Sequence, residues 1–228
     1  MKRPSLLQNP LTIKTMNFDS ARMRMIREQL LPRGISDERV LAAMAAVPRH
    51  LFVQDALRNQ AYGDFPMPIG LGQTISQPYI VALMTQALEL KGGESVLEIG
   101  TGCGYQTSVL ARLADRVFSI ERLKELHIRA RQTLDQLQVF NALCTTDDGT
   151  VGWPQYGPFA AIIVTAASPE IPQPLIDQLA DPGRLVIPIG DRSLQELVVL
   201  TKEDGQISRR VIDRVRFVSL IGQHGWQE

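Results

Sequence analysis

The chain has 228 residues, and its 24 lysines and arginines balance 24 aspartates and glutamates. That length can bury a full core in one domain, and the charge balance argues against nucleic acid or an anionic membrane as partner, leaving a small or peptide-like substrate. The two cysteines, Cys103 and Cys144, are too few for a secreted disulfide scaffold and read as reduced thiols of a cytoplasmic protein.

Residues 1–17 show neither helical nor strand period and carry two prolines, so they read as a loose arm; after Lys2 and Arg3 no apolar signal-peptide core develops. No later segment is long and apolar enough to span a bilayer. Asp19 is placed to cap a first helix in which Met23, Ile26 and Leu30 share a face, with Phe18 and Met23 as a hydrophobic staple, and Pro32 and Gly34 end it. Ser36 is placed to cap a second helix carrying Val40, Leu41, Met44 and Val47, closed by Pro48. Residues 62–77 are rich in glycine and proline and lack either period, which predicts a long ordered loop or lid of the kind that carries function. A third helix runs from after Ser76 to about Leu90, and Lys91-Gly92-Gly93 turns the chain into a strand.

From Ser95 onward strands and helices alternate: strand 95–99, helix 104–114, strand 116–121, helix 122–138, strands 141–146 and 159–165, helix 172–180, strand 184–189. This is the pattern of an α/β, doubly wound, Rossmann-like and mostly parallel sheet. Two final strand-like runs, 194–201 and 206–220, flank Glu203-Asp204-Gly205 and predict a C-terminal antiparallel hairpin. The chain therefore divides into the arm and one domain from residue 18, with a helical N-terminal part to residue 94, a cofactor-binding core over 95–190 and C-terminal strands over 191–228.

The run Val96-Leu97-Glu98-Ile99 opens into Gly100, Gly102 and Gly104, where a glycine turn lets backbone approach a ligand and the next helix offers free N–H groups. Alone this is a weak signal, because Tyr105 stands where the third glycine of a dinucleotide fingerprint would continue, and a tight turn with no ligand would read the same. Three carboxylates at successive strand ends add to it: Glu98 before the turn, Glu121 about 20 residues on, where a ribose hydroxyl pair is usually gripped, and Asp148 after the third strand. An acidic lining suits ribose hydroxyls, an adenine amino group and a cationic end, and suits a pyrophosphate badly. S-adenosyl-L-methionine has those features; a nicotinamide dinucleotide is the minority reading.

The chain closely resembles the protein-L-isoaspartate O-methyltransferases from about Met23 to Trp226. The resemblance rests on Pro48-Arg49-His50-Leu51-Phe52-Val53, Ile69 to Tyr79 with its Gln73-Thr74-Ile75-Ser76-Gln77-Pro78 core, the glycine turn, Asp148-Gly149, Thr165-Ala166-Ala167 and Arg216-Phe217-Val218. It implies an S-adenosyl-L-methionine-dependent enzyme that methylates the free α-carboxylate of L-isoaspartyl residues in damaged proteins and peptides. It implies cofactor contacts at Glu98, Gly100, Thr101, Gly102, Gly104, Glu121, Asp148, Gly149 and Thr165, a catalytic Ser76, and substrate contacts at Thr74, Ser76 and Val218. Asp147 stands where the family commonly has glycine, so either Asp147 or Asp148 is open as the adenine contact. Residues 215–218 offer backbone for strand-like pairing with an extended peptide.

A carboxylate acceptor with a pKa near 4 is already ionised at neutral pH and attacks a sulfonium methyl without a general base. The sequence agrees: it holds three histidines, His50, His127 and His224, no spacing suited to a metal, and no serine–histidine motif. From the residues alone Ser76 reads first as a helix cap, and the resemblance makes it the acceptor-aiming hydroxyl. The competing readings are a nicotinamide-dependent oxidoreductase and a non-catalytic cofactor-binding protein on the same fold.

Overall fold

The computed structural model describes residues 17–227, so the expected arm lies almost wholly outside the described residues. The chain opens with α1 (Phe18–Met25), widens to a π-helical turn over Ile26–Leu30 and tightens to a 3-10 turn over Leu31–Arg33, where Gly34 stops it at φ +83°. The cap of α1 is Asn17, whose side chain accepts the Ser20 N–H, while Asp19 instead pairs with Arg22. Met23 is 46% exposed and lies off the buried stripe, which is Met25, Ile26 and Leu30.

In α2 (Glu38–Ala46) the cap is Asp37, accepting the Arg39 and Val40 N–H groups, rather than Ser36. The reason is tertiary: the N–H groups of Ser36 and Asp37 are both held by the Gln86 side chain, which fixes the chain one residue further on than local capping rules alone indicate.

The segment expected to lack regular structure contains a short hairpin, β1 (Met67–Gly70) and β2 (Gln73–Ile75), turned by Leu71 and Gly72 at φ +53° and +70°. Met67, Ile69 and Ile75 point inward and Pro68 and Thr74 outward, an alternation too brief to be read as a period. Helix α3 (Pro78–Ala87) follows, with proline at its first position.

Seven strands then form one sheet in the order β5-β4-β3-β6-β7-β8-β9. They are β3 (Ser95–Ile99), β4 (Arg116–Glu121), β5 (Ala142–Thr146), β6 (Phe159–Val164), β7 (Leu179–Gly190), β8 (Gln195–Glu203) and β9 (Gln206–Val215). The first five run parallel and β8 is antiparallel to both neighbours, which closes the sheet as the hairpin signal predicts. The connecting helices are α4 (Tyr105–Leu110), α5 (Lys124–Gln136) and α6 (Gln173–Asp177). The last is shorter than expected, because Leu179 already pairs with Phe159 and starts β7 early.

Alternate residues of the strands feed two cores. Val96, Val117, Ile163 and Val186 pack with the N-terminal helices, α2, α3 and α4; Leu97, Ile99, Ile120, Ile162 and Ile187 pack with α6 on the other face. Both faces are covered, so the parallel strands read as continuous apolar runs. Strand order reverses between β3 and β6, which opens a crevice at their carboxyl ends, where the glycine turn and Thr165 lie. No helix among the described residues is long and apolar enough to cross a membrane.

The expected final strand over 206–220 stops at Val215. Beyond it the Gln195 side chain accepts the Phe217 N–H, and the chain crosses back over the strand ends, where the Ala167 N–H donates to Val218 and the Leu220 N–H donates to Ala167. The capping assignment is testable by thermal unfolding. Asp37→Ala should cost about 1 kcal/mol, or roughly 2–4 °C in Tm, whereas Ser36→Ala should change little.

Candidate active site

The glycine turn is held at both ends. The Gly100 N–H donates to Ile120 at 2.8 Å, the Gly104 N–H to Thr101 at 2.8 Å, and the Thr165 hydroxyl donates to the Gly100 carbonyl at 2.7 Å. Gly100 has φ +95°, and a Cβ there would collide with the Thr165 hydroxyl, so the position needs glycine on two counts.

Glu121, at the end of β4, fixes the middle of the turn. One carboxylate oxygen accepts the Gly102 N–H at 2.8 Å and the other accepts the Leu123 N–H at 2.9 Å. Each carboxylate oxygen can accept more than one bond, and Glu121 lines the cavity, so capacity for further donors remains on the open side.

A cavity of about 370 Å³ joins this turn to the hairpin segment. Its walls bring together Thr74 and Ser76, the glycine turn from Gly100 to Gly102, Glu121, Gly149, Thr165 and Val218. Size and mixed lining are those of a small-molecule site. Ile69, Val81, Met84 and Leu126 supply apolar surface, while Gln106, which sequence reasoning did not single out, adds a buried amide that donates to Thr85 at 2.9 Å. Arg122 and residues 219–221 also line it; the only sequence signals for them were adjacency to Glu121 and to Val218.

Three expected cofactor residues are not on the cavity wall. Glu98 is fully buried beneath the turn, one oxygen accepting from the Thr107 and Ser119 hydroxyls at 2.5 and 2.6 Å, the other without a hydrogen-bond partner among the described residues. Because alternate β3 residues face opposite ways, Glu98 points with Val96 into the core under α4. Gly104, at φ +88°, begins α4 and packs against Ala130 and Leu134 of α5. Asp148 turns its carboxylate into its own loop, accepting from Thr150 at 2.8 and 2.7 Å and from the Gln223 N–H at 2.7 Å, which holds its pKa below the ordinary range although burial opposes this. Asp147 accepts the Asp148 N–H and is likewise off the wall; what this loop presents is the Gly149 backbone, where a Cβ would run into Ile99.

Val218 does line the cavity, yet its carbonyl accepts from Ala167 and the neighbouring Phe217 N–H is held by Gln195. Those two groups are therefore not offered for the strand-like pairing expected of residues 215–218. His50 stacks on Phe18 with its Nδ1 2.9 Å from the Tyr62 hydroxyl, a packing role apart from the cavity. Cys103 reaches the wall, but burial pushes its thiol up to about 11, so it is a neutral, unreactive group at neutral pH.

The sheet order, the crevice at its switch point and the acid-braced glycine turn define the Rossmann-like fold of the S-adenosylmethionine-dependent methyltransferases. The family model for protein-L-isoaspartate(D-aspartate) O-methyltransferase matches residues 21–225, and the chain belongs to that family. It is 59% identical to protein-L-isoaspartate O-methyltransferase 1 of Syntrophobacter fumaroxidans, over 92% of this chain and 99% of the relative. It is 54% identical to the Geobacter metallireducens enzyme, over 92% and 98%. A solved protein-L-isoaspartate O-methyltransferase superposes with TM-score 0.81 at 27% identity, covering 90% of this chain and 67% of that one. A Plasmodium falciparum relative, solved in complex with S-adenosyl-L-homocysteine, gives TM-score 0.77 at 30% identity, covering 90% and 99%.

Two outcomes test this geometry. Glu121→Gln keeps the shape but sets an amide NH₂ against one backbone N–H; isothermal titration should show S-adenosyl-L-homocysteine binding weakened about tenfold or more. Burial raises the Glu98 carboxyl to about 7, the Thr107 and Ser119 hydroxyls opposing and the Glu121 charge adding to the rise. A folded-state pKa above the unfolded value gives stability that is complete at low pH and is lost as pH climbs through about 7. Urea unfolding at pH 5, 6, 7 and 8 should therefore show Glu98→Gln gaining on the wild type as pH rises, by at most roughly 1.4 kcal/mol per pH unit.

Proposed function

We propose that Ser76 and Glu121 divide the work of one site, with Glu121 and the glycine turn holding S-adenosyl-L-methionine and Ser76 aiming the acceptor. The reaction is the family's: methylation of the free α-carboxylate of L-isoaspartyl residues in damaged proteins and peptides, which begins repair through a succinimide. The observation that carries the division is that the braced glycine turn and Ser76 line one cavity.

The residues fit that methyl donor. Glu121 keeps acceptor capacity on the open side for a ribose hydroxyl pair, and glycine at 100 and 149 leaves space that a Cβ could only enter by displacing Thr165 or Ile99. When bound, S-adenosyl-L-methionine supplies an electrophilic methyl on a positively charged sulfur.

The acceptor carboxylate, with an ordinary pKa near 4, needs no base; Cys103 is protonated and Glu98 is sealed below the turn. The Ser76 hydroxyl donates to the acceptor and fixes which oxygen faces the methyl. A donor that gripped the anion more strongly would slow transfer, because the acceptor loses its negative charge in the transition state. Ile69, Val81, Met84 and Leu126 keep competing water out and provide the low-polarity surroundings that favour a step in which opposite charges cancel. Alignment within the cavity then accounts for the rate. The free thiols of Cys103 and Cys144 suit a reducing compartment such as the cytoplasm.

Labelled methyl incorporation into matched peptides carrying L-isoaspartate, L-aspartate or D-aspartate tests the reaction: the isoaspartyl peptide should be labelled and the L-aspartyl peptide should not. Ser76→Ala should lower kcat/KM for the isoaspartyl peptide roughly 10- to 100-fold, the worth of a hydrogen bond to a charged group. Affinity for S-adenosyl-L-homocysteine should stay within about twofold, and a parallel loss of that affinity would remove Ser76 from the acceptor role.

A further inference from the structure

Arg49 is the largest fully buried side chain among the described residues, and it lies behind the part of the cavity wall that carries Ser76. It stands at the start of the 3-10 turn Arg49–Phe52 that follows α2. Its Nε donates to the Ala61 carbonyl and its Nη2 to the Ser76 carbonyl, both at 2.7 Å. Those two carbonyls are the two ends of the segment that holds the β1–β2 hairpin, so one guanidinium closes the neck of the loop that carries Thr74 and Ser76.

The same guanidinium lies 4.8 Å from the centroid of the Tyr105 ring, and Tyr105 is the first residue of α4, directly after the glycine turn. Ser76 and Tyr105 both line the cavity. Arg49 thus joins the acceptor wall to the cofactor wall through contacts at each.

Its environment is unusual for a purely structural cation. Nη1 has no hydrogen-bond partner among the described residues, and the groups that favour its charge are Tyr105, Cys103 and Tyr62, all uncharged at neutral pH. Burial lowers its pKa, but a guanidinium remains ionised. A buried charge without a carboxylate partner is costly, and here the nearest cavity wall is the one that takes an anionic acceptor. A lysine could hold one of the two carbonyls but lacks the planar fork that reaches both.

We propose that Arg49 is the positioning residue for the methyl acceptor, fixing the Ser76 backbone at the cavity wall and setting a positive charge behind it for an ionised carboxylate. This rests on the assignment of Ser76 above. Holding both loop ends governs alignment and so kcat; the charge governs capture of the carboxylate and so KM.

Arg49→Lys retains one amine donor and loses the fork, and should lower kcat for an isoaspartyl peptide about tenfold, with KM changed less than threefold at pH values where the amine is protonated. Arg49→Met should lower kcat and also raise KM about tenfold. In both, titration with S-adenosyl-L-homocysteine should give an affinity within about twofold of wild type, which a general loss of structure would not. If Arg49→Met does not yield folded protein, Arg49→Ala assayed with and without added guanidinium replaces it, and recovery of kcat/KM supports the role. Unchanged kinetics in Arg49→Lys beside an impaired Ser76→Ala overturns the Arg49 role alone. Loss of S-adenosyl-L-homocysteine affinity in step with activity also overturns it. Unchanged kinetics in Ser76→Ala overturns the acceptor assignment and the Arg49 role together.

Discussion

The Glu121 carboxylate, accepting the backbone N–H groups of Gly102 and Leu123, is the interaction on which the site depends. A glycine turn is free to take many shapes, since glycine loses more conformational freedom on ordering than any other residue. Glu121 removes that freedom at the centre of the turn, and Thr165 removes it at the start through the Gly100 carbonyl. Both residues sit at the ends of strands flanking β3, so the packed sheet sets the turn's shape and the turn can meet a ligand without further ordering.

The hairpin side of the cavity follows a different design. The hairpin segment is short of regular structure and borrows its order from long side chains that reach it from elsewhere. Arg49 holds its two ends, Arg129 of α5 donates to the Ile69 carbonyl at 3.2 Å, and Gln77 donates to Asp64, which Arg33 also meets. Arg33 in turn lies over the Tyr79 ring. These ties come from the 3-10 turn Leu31–Arg33, from α5 and from the turn after α2, while the Gln77–Asp64 bond lies within the segment itself, so the position of Ser76 integrates much of the N-terminal half. A rigid glycine turn and a braced hairpin segment suit the proposed reaction, in which the acceptor is already ionised and alignment is what remains.

Much of this was legible in the sequence because its causes are local. Strands β3 and β4 and the glycine turn follow from uninterrupted apolar runs and glycine spacing, and Glu121 from its place at a strand end. The Gln73 to Pro78 piece marked the loop that brings Thr74 and Ser76 to the cavity. Caps were legible only as types: Asn17 and Asp37 hold the N-termini where Asp19 and Ser36 are the local candidates, because the Asp19 carboxylate pairs with Arg22 and the Gln86 side-chain oxygen accepts the Ser36 and Asp37 N–H groups, setting where the chain turns helical. Asp148 looked like a ligand group and instead satisfies its own loop and the N–H of Gln223, a residue 75 positions away.

What the amino-acid sequence determined by itself was the doubly wound sheet with its final hairpin, the glycine turn that lines the cavity and the family to which the chain belongs, since periodicity, glycine and contiguous motifs are properties of neighbouring residues. Tertiary structure alone decided which of those residues face the cavity. It turned Glu98 into the core by strand alternation, drew Val218 to the wall by folding the tail back over Ala167, and set a buried arginine behind Ser76, because each of these depends on contacts between residues far apart in the chain.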